Sequence, residues 1–147
     1  MMRLADVDAT LDAGRMLAGV LRPGDVITVA GGLGSGKTTL ARGILAGLGF
    51  EGDVPSPSFP ILIPYLPPLV RLPFAHVDLY RIDDPAELAE LGLDDWTGDG
   101  AMLIEWPERA PGRFRGALRL AIDLTGEAAR RLTADIPPAW EARWPFR

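Results

Sequence analysis

The sequence predicts an α/β fold around a mixed sheet, with a parallel core and an antiparallel hairpin at its C-terminal end. A β-branched run at residues 25–30 enters a glycine cluster that leads into a helical pattern. Short apolar runs at residues 74–79 and 101–104 are typical of buried strands. Over residues 118–124 apolar residues alternate with polar or small ones, and residues 129–136 can return as the second arm of a hairpin.

The remaining elements follow from apolar spacing and from the positions of proline. Apolar residues at helical spacing predict a helix over residues 7–21, and the helix after the glycine cluster covers residues 37–48. Prolines between residues 54 and 68 leave only residues 59–65 free to form a strand, which must lie at an edge or a bend. Residues 85–91 predict a short helix that begins after two aspartates.

Length and composition exclude several classes of protein. With 147 residues, 48% of them hydrophobic, the chain is expected to form one domain over residues 1–147. A net charge of −5 argues against a protein that binds nucleic acid without a partner, because such binding needs positive charge to neutralise phosphates. There is no cysteine for thiol chemistry, and a single histidine, His76, makes a histidine-based metal site implausible. The first residues lack the pattern of a signal peptide and the chain lacks a continuous apolar span, so we expect a cytoplasmic protein with no membrane partner.

The glycine cluster carries the strongest chemical signal. Residues 31–38 read GGLGSGKT and match the G-x-x-x-x-G-K-[ST] pattern of a P-loop, with an apolar strand before it and a helix after it. Glycines let backbone N–H groups turn toward phosphates, Lys37 is expected to reach the β- and γ-phosphates, and the Thr38 hydroxyl to bind Mg²⁺. The alternative is a glycine-rich turn with a chance Lys-Thr pair. The pattern predicts a P-loop NTPase-like three-layer fold that binds ATP or ADP with Mg²⁺ through Gly32, Leu33, Gly34, Ser35, Gly36, Lys37, Thr38 and Thr39.

Two carboxylates stand where a P-loop needs a second metal ligand and a water-orienting group. Glu105 follows the run Ala-Met-Leu-Ile, and Asp78 follows Phe-Ala-His-Val, so both project at the ligand edge of a parallel sheet. We predict that Glu105 binds the metal with Thr38, and that Asp78 orients or deprotonates the attacking water, which makes Lys37, Asp78 and Glu105 the catalytic set. The alternative for each carboxylate is a solvated strand end. His76 shares a face with Asp78 and could pair with it, but a packed, hydrogen-bonded role is favoured over a catalytic one.

Four segments together resemble the TsaE (YjeE) family. They are residues 32–39 (GLGSGKTT), 55–59 (PSPSF), 76–81 (HVDLYR) and 105–109 (EWPER), in the order that the family shows. The stretch at residues 84–92 is also similar, as is Ala9-Thr10-Leu11 near the start, so the resemblance covers about residues 7–135.

The resemblance implies a P-loop ATPase that is required, with TsaD and TsaB, to place threonylcarbamoyl on the adenosine beside the anticodon of certain tRNAs. The family member does not make that bond itself and meets tRNA only through the complex. The resemblance also implies that Thr10 lies near the nucleotide, that Trp106 touches it, and that a switch-like Ser-Pro-Thr loop maps to Ser56, Pro57 and Ser58. In this sequence Ser58 stands in place of the family's threonine, so the hydroxyl group is retained.

Two other functions remain open from the residues alone. One is a small-molecule kinase that uses the same loop, although the predicted hairpin leaves little sequence for an arginine-bearing lid. The other is a nucleotide-dependent binding switch, and the sequence contains no Asn-Lys-x-Asp motif for reading guanine. The roles of Arg81 and Arg109 also stay open, since each can stabilise phosphate charge or anchor a surface loop. We expect the late aromatics Trp140, Trp144 and Phe146 to pack onto the domain, with a partner surface as the alternative.

Overall fold

A seven-stranded mixed sheet organises the computed structural model, which describes residues 1–57 and 61–146. The strand order is β1-β7-β6-β2-β5-β4-β3. The strands are β1 (Met2–Leu4), β2 (Val26–Ala30), β3 (Leu62–Tyr65), β4 (Phe74–Asp78), β5 (Ala101–Glu105), β6 (Leu118–Leu124) and β7 (Arg130–Asp135). The helices are α1 (Val7–Val20), α2 (Lys37–Gly47) and α3 (Pro138–Glu141), with 3₁₀ segments at Pro85–Leu91, Leu93–Thr97 and Pro107–Arg109.

The centre of the sheet is parallel and the C-terminal hairpin is antiparallel, as the sequence predicted. Strand β3 at the other edge also pairs antiparallel, with β4. Strand β2 pairs in parallel with β5 and β6, and β5 pairs in parallel with β4. In the register, Glu105 lies opposite Val29 on one side and opposite Asp78 on the other. The carboxyl ends of β2, β5 and β4 therefore meet at one edge, which places both predicted carboxylates beside the loop that follows β2.

The sheet is covered on both faces, which gives the predicted three layers. One face packs against α1 and α2, whose buried residues include Leu17, Leu40 and Ile44. These helices approach closely, because a Cβ on Gly43 would lie only 2.2 Å from the carbonyl oxygen of Leu11. The other face is covered by the 3₁₀ segments and the chain that follows them, with a second cluster of buried residues. This packing fixes where α2 begins, and so fixes the loop before it.

Some of the described elements differ from the sequence expectation or were not predicted. Strand β1 was not predicted, because three residues are too few to show a periodicity and its pairing with β7 is non-local. The short helix predicted over residues 85–91 is present as the 3₁₀ segment Pro85–Leu91, and the Asp84 side chain caps it by accepting from the Ala86 N–H at 3.0 Å. Strand β3 begins at Leu62, since Ile61 has a φ of 70° that an extended strand does not allow. Phe59 and Pro60 of the predicted strand lie outside the described residues.

The C-terminal aromatics pack onto the domain, as expected. Trp140 is buried, and Trp144 and Phe146 pack partly buried against the same cluster. The Arg143 guanidinium lies 4.0 Å from the Trp140 ring centroid and forms two hydrogen bonds to Asp25, of 2.6 and 2.7 Å. In the part of the chain that the structure describes, no helix has the length and apolar character needed to cross a membrane.

Candidate functional site

The glycine-rich loop leaves β2 at Gly31 and enters α2 at Lys37. Gly34 and Gly36 have φ values of 75° and 111°, in the left-handed region that favours glycine. A Cβ on Gly31 would lie 2.4 Å from the carbonyl oxygen of Ile122 on β6, so this position also requires glycine. The sequence pattern of the P-loop thus reflects the backbone path that the structure shows.

The start of α2 offers unsatisfied donors to a ligand. Among the described residues, no side chain caps this helix terminus, and its first turn contains no acidic residue. The first N–H groups of a helix lack intrahelical partners and carry partial positive charge, so they favour an anion. Within the same described residues, the buried Ser35 Oγ also has no hydrogen-bond partner. Both features are those of a loop that binds phosphate.

Lys37 is folded against its own loop. Its ammonium Nζ donates to the carbonyl oxygens of Gly31 at 2.7 Å and Gly32 at 2.8 Å, and lies 4.5 Å from the Trp106 ring centroid. Burial lowers the pKa of Lys37, while the nearby carboxylates of Glu105, Asp78 and Glu108 act in the opposite direction. The ammonium therefore sits between loop carbonyls and an aromatic face, at the position from which it can turn toward a phosphate.

Glu105 connects the loop helix to the neighbouring strands. Its Oε2 lies 3.4 Å from the Thr38 hydroxyl, which donates to it, and 2.5 Å from His76 Nε2. His76 is fully buried and Glu105 is nearly so. The sequence suggested that His76 could pair with Asp78, but it pairs with Glu105 on the neighbouring parallel strand. Glu105 lies two residues beyond Leu103, the register partner of His76, and such side chains share one face of the sheet. His76 is a packed, hydrogen-bonded histidine, as the sequence analysis predicted.

Asp78 lies on the next strand and is also buried. Its Oδ1 accepts a hydrogen bond of 2.9 Å from the Tyr80 N–H. Burial raises the pKa of Asp78 above its ordinary value, and Glu105 adds to the increase, whereas the Tyr80 hydrogen bond, His76 and Lys37 oppose it. A carboxylate with a raised pKa binds a proton more readily than an ordinary aspartate, which is the property that a proton acceptor needs.

These residues line a common cleft of about 460 Å³. Of the predicted site residues, the cleft brings together Leu33, Gly34, Ser35, Gly36, Lys37, Thr38, Thr39, Asp78, Glu105 and Trp106. Ser56, Tyr80 and Arg81 line it as well. Gly32 belongs to the loop through its carbonyl, which accepts from Lys37. Ser58 lies outside the described residues.

Thr10 is close to the loop but packs beside it. Its Cγ2 would lie 3.9 Å from a Cβ on Gly36, and its hydroxyl donates to the carbonyl oxygen of Asp6 at 3.4 Å. The side chain is buried in α1. A contact between Thr10 and a nucleotide remains a prediction.

An aromatic wall closes one side of the cleft. Trp106 has a φ of 58°, an uncommon left-handed conformation for a bulky residue, and such conformations cluster at functional sites. Its ring centroid lies 4.8 Å from that of Tyr80, and Cζ of Arg109 lies 5.4 Å from the Tyr80 ring centroid. Arg109 thus packs on this wall, while Arg81 lines the cleft. Whether either arginine stabilises phosphate charge stays a prediction.

No motif in the sequence pointed to one residue of the cleft, Arg130. This first residue of β7 donates from Nε to the Ser35 carbonyl oxygen at 2.6 Å and from Nη2 to that of Gly34 at 3.2 Å. The contact depends on β6 pairing with β2 and on β7 pairing with β6, both of which are long-range. A local motif could not have revealed it.

The donor chemistry at Thr38 and Glu105 suits magnesium. Across residues 1–57 and 61–146, no group of three or more His, Cys, Asp or Glu side chains is arranged to hold a metal ion. Mg²⁺ needs no such group at a nucleotide site, because it keeps waters and phosphate oxygens as ligands and takes only one or two oxygens from the protein. A hydroxyl and a carboxylate 3.4 Å apart, at the start of the loop helix, meet that need.

Comparison with known proteins identifies the family. Residues 4–132 match the family model described as threonylcarbamoyl adenosine biosynthesis protein TsaE. A tRNA threonylcarbamoyladenosine biosynthesis protein TsaE from Bacillus subtilis (strain 168) is 36% identical over 133 residues, which cover 89% of this chain and 82% of the relative. The protein of the same name from Streptomyces coelicolor is 39% identical over 146 residues, which cover 85% of this chain and 95% of that protein.

A solved structure supports the same assignment. The crystal structure of YdiB from Bacillus subtilis matches with a TM-score of 0.81 at 30% sequence identity, and the match covers 97% of this chain and 89% of that one. The similarity confirms the P-loop NTPase-like fold that the sequence predicted. With a family model that spans most of the chain and relatives of this similarity, the chain belongs to the TsaE family of threonylcarbamoyl adenosine biosynthesis proteins.

Proposed function

We propose that this protein is a Mg²⁺-dependent ATPase required for threonylcarbamoyl modification of the adenosine next to the tRNA anticodon. It acts with TsaD and TsaB and does not transfer the group itself. The observation that carries the proposal is the arrangement around Thr38: an uncapped helix start, a glycine loop and the Glu105 carboxylate converge on one cleft. The first two features bind phosphate, and the third completes a magnesium site.

Phosphate binding falls to the loop and to Lys37. The N–H groups of the loop and of the first turn of α2 would hold the phosphate tail, and the Ser35 hydroxyl would gain the partner that it lacks among the described residues. Lys37 would exchange its two loop carbonyls for phosphate oxygens. Its charge then counters the negative charge that develops during phosphoryl transfer.

Thr38 and Glu105 would hold the metal, and His76 would hold Glu105. Mg²⁺ bound to the triphosphate neutralises its charge and orients it for attack. Because His76 fixes one oxygen of Glu105 at 2.5 Å, the carboxylate is positioned before the metal binds. Hydrogen-bonded ligands of this kind keep their orientation, which favours a single metal geometry.

Asp78 would orient the attacking water and take its proton. General-base catalysis is most effective when the pKa of the base lies near the working pH, and burial shifts the pKa of Asp78 upward in that direction. The Tyr80 N–H fixes one oxygen of the carboxylate, which leaves the other to accept from water. If water is the acceptor in the cleft, the reaction is hydrolysis of ATP and not transfer of its phosphate to a metabolite.

The charge of the chain favours an indirect role with RNA. A net charge of −5 gives little attraction to a polyanion, so we assign tRNA recognition to the partner proteins. The role of an assistant ATPase fits this division.

Phosphate release with purified components tests the proposal. ATP and GTP are supplied to the protein alone and together with TsaD and TsaB, and inorganic phosphate is measured over time. We expect hydrolysis that needs Mg²⁺, prefers ATP and rises when the partners are present. Turnover that ignores the partners would contradict the proposed role, and phosphate on an added metabolite would indicate a kinase.

A further inference from the structure

Arg130 joins the C-terminal hairpin to the phosphate-binding loop through two of its guanidinium nitrogens, and the third bonds within the hairpin turn. Its Nε donates to the Ser35 carbonyl oxygen at 2.6 Å, and its Nη2 donates to the Gly34 carbonyl oxygen at 3.2 Å. Its Nη1 donates to the carbonyl oxygens of Ala129 at 3.2 Å and Glu127 at 3.4 Å, in the hairpin turn. The half-buried side chain thus cross-links two segments that are far apart in the sequence.

These hydrogen bonds act on the carbonyl side of the loop. In an anion-binding loop successive N–H groups turn toward the ligand, so the carbonyls of the same peptide planes point away from it. A donor that holds two consecutive carbonyls also fixes the planes that carry the N–H groups. Gly34 and Gly36 have φ values of 75° and 111°, and glycine adopts many other conformations at little cost. A contact on the carbonyl side therefore selects one conformation of a permissive segment.

We propose that Arg130 is a positioning residue of the nucleotide site, which holds the loop in its phosphate-binding shape before the nucleotide arrives. The proposal rests on the proposed function, since it assumes that phosphate is the ligand of the loop. The role belongs to the planar fork of the guanidinium rather than to its charge. Lysine carries the same charge on one nitrogen and lacks the rigid fork whose separate nitrogens reach the loop carbonyls and the turn carbonyls at the same time.

Three variants separate this role from charge and from general packing. Arg130→Ala removes the side chain, and Arg130→Lys keeps its charge without the fork. Arg131→Ala is the matched control, because Arg131 is the next residue on β7 and is exposed. Each protein is titrated with ADP and Mg²⁺ by calorimetry. Amide hydrogen exchange is measured in the absence of nucleotide at Ser35 and Leu40, whose N–H groups bond to the Gly32 and Gly36 carbonyls.

We expect both Arg130 variants to bind ADP about tenfold more weakly than wild type, and the amides of Ser35 and Leu40 to exchange faster in both. The control should match wild type in both measurements. Wild-type affinity in Arg130→Ala, or full recovery in Arg130→Lys, would overturn the proposal. Faster exchange spread through β4 and β5 as well would also overturn it, since that result indicates a general structural role.

The measurements also distinguish failure of this inference from failure of the proposed function. If wild-type protein does not bind ADP, the nucleotide-binding function fails. The exchange measurement still decides the inference in that case, because it needs no ligand. Unchanged exchange at Ser35 and Leu40 would then show that Arg130 does not position the loop.

Discussion

His76 Nε2 lies 2.5 Å from Glu105 Oε2, and both side chains are buried near the carboxyl ends of β4 and β5. The same carboxylate oxygen lies 3.4 Å from the Thr38 hydroxyl. One buried imidazole therefore fixes the carboxylate that faces the start of the loop helix. This relationship was not expected from the sequence, and it makes His76 a support for the carboxylate that we propose as a magnesium ligand.

His76→Ala should weaken the response to magnesium. Loss of an outer partner of a metal-binding residue typically costs at least about tenfold in metal affinity, so the Mg²⁺ concentration for half-maximal ATP hydrolysis should rise by about that factor. A Mg²⁺ titration of the hydrolysis rate measures the change. His76→Gln, which retains a donor, is the matched control, and an unchanged Mg²⁺ midpoint in a folded His76→Ala protein would contradict the positioning of Glu105.

Lys37→Ala should remove tight nucleotide binding. The ammonium is the loop's own positive charge, and hydrogen bonds to charged groups are about twice as strong as neutral ones, so we expect a loss of at least about tenfold in ATP affinity. Calorimetry with ATP and Mg²⁺ measures it. Arg15→Ala, a change on the exposed part of α1, serves as the control. Equal affinity for Lys37→Ala and wild type would show that the loop does not hold the phosphates.

Asp78→Asn should slow hydrolysis while leaving ATP binding nearly intact. The amide keeps an oxygen to accept from the Tyr80 N–H but cannot take a proton from water. General-base catalysis contributes about 10²–10⁴-fold, so we expect a fall in turnover of at least about a hundredfold. Single-turnover phosphate release and calorimetry measure the two effects separately. Turnover equal to that of wild type would show that another group orients the water.

The same substitution should stabilise the protein at neutral pH when no nucleotide is present. Burial raises the pKa of Asp78 above its ordinary value of 3.8, so the folded state binds this proton more tightly than the unfolded state. Stability from this group is thus present in acid and is lost as the pH rises from 3.8 through the raised pKa. We expect Asp78→Asn to melt at a higher temperature than wild type at neutral pH, with the gap closing in acid. A lower melting temperature for the variant at neutral pH would contradict this account.

Local patterns in the sequence were sufficient to predict the centre of the fold. The β-branched run, the glycine loop and the helix that follows them are contiguous, and the left-handed Gly34 and Gly36 explain why the motif needs glycine. Asp78 and Glu105 were placed correctly at one edge because both end apolar runs, and parallel strands present their carboxyl ends together. The principal strands and helices of the parallel core follow from these patterns.

The features that the sequence did not reveal depend on long-range pairing. The Glu105 partner of His76 follows from the register of β4 and β5, and the Arg130 contact follows from β6 lying beside β2. Strand β1 is too short to carry a pattern, and it exists because β7 offers an edge. The two aspartates before residues 85–91 indicated the start of a short helix, but only the structure distinguishes its 3₁₀ form.

The central claim is that the loop at residues 31–38 binds the phosphates of an adenine nucleotide together with Mg²⁺. Calorimetry of the purified protein with ADP and Mg²⁺ tests it most directly. The account predicts saturable heat from a single site in wild type, and loss of that heat in Lys37→Ala. Absence of any binding heat from the folded wild-type protein, up to about millimolar ADP or ATP, would contradict it.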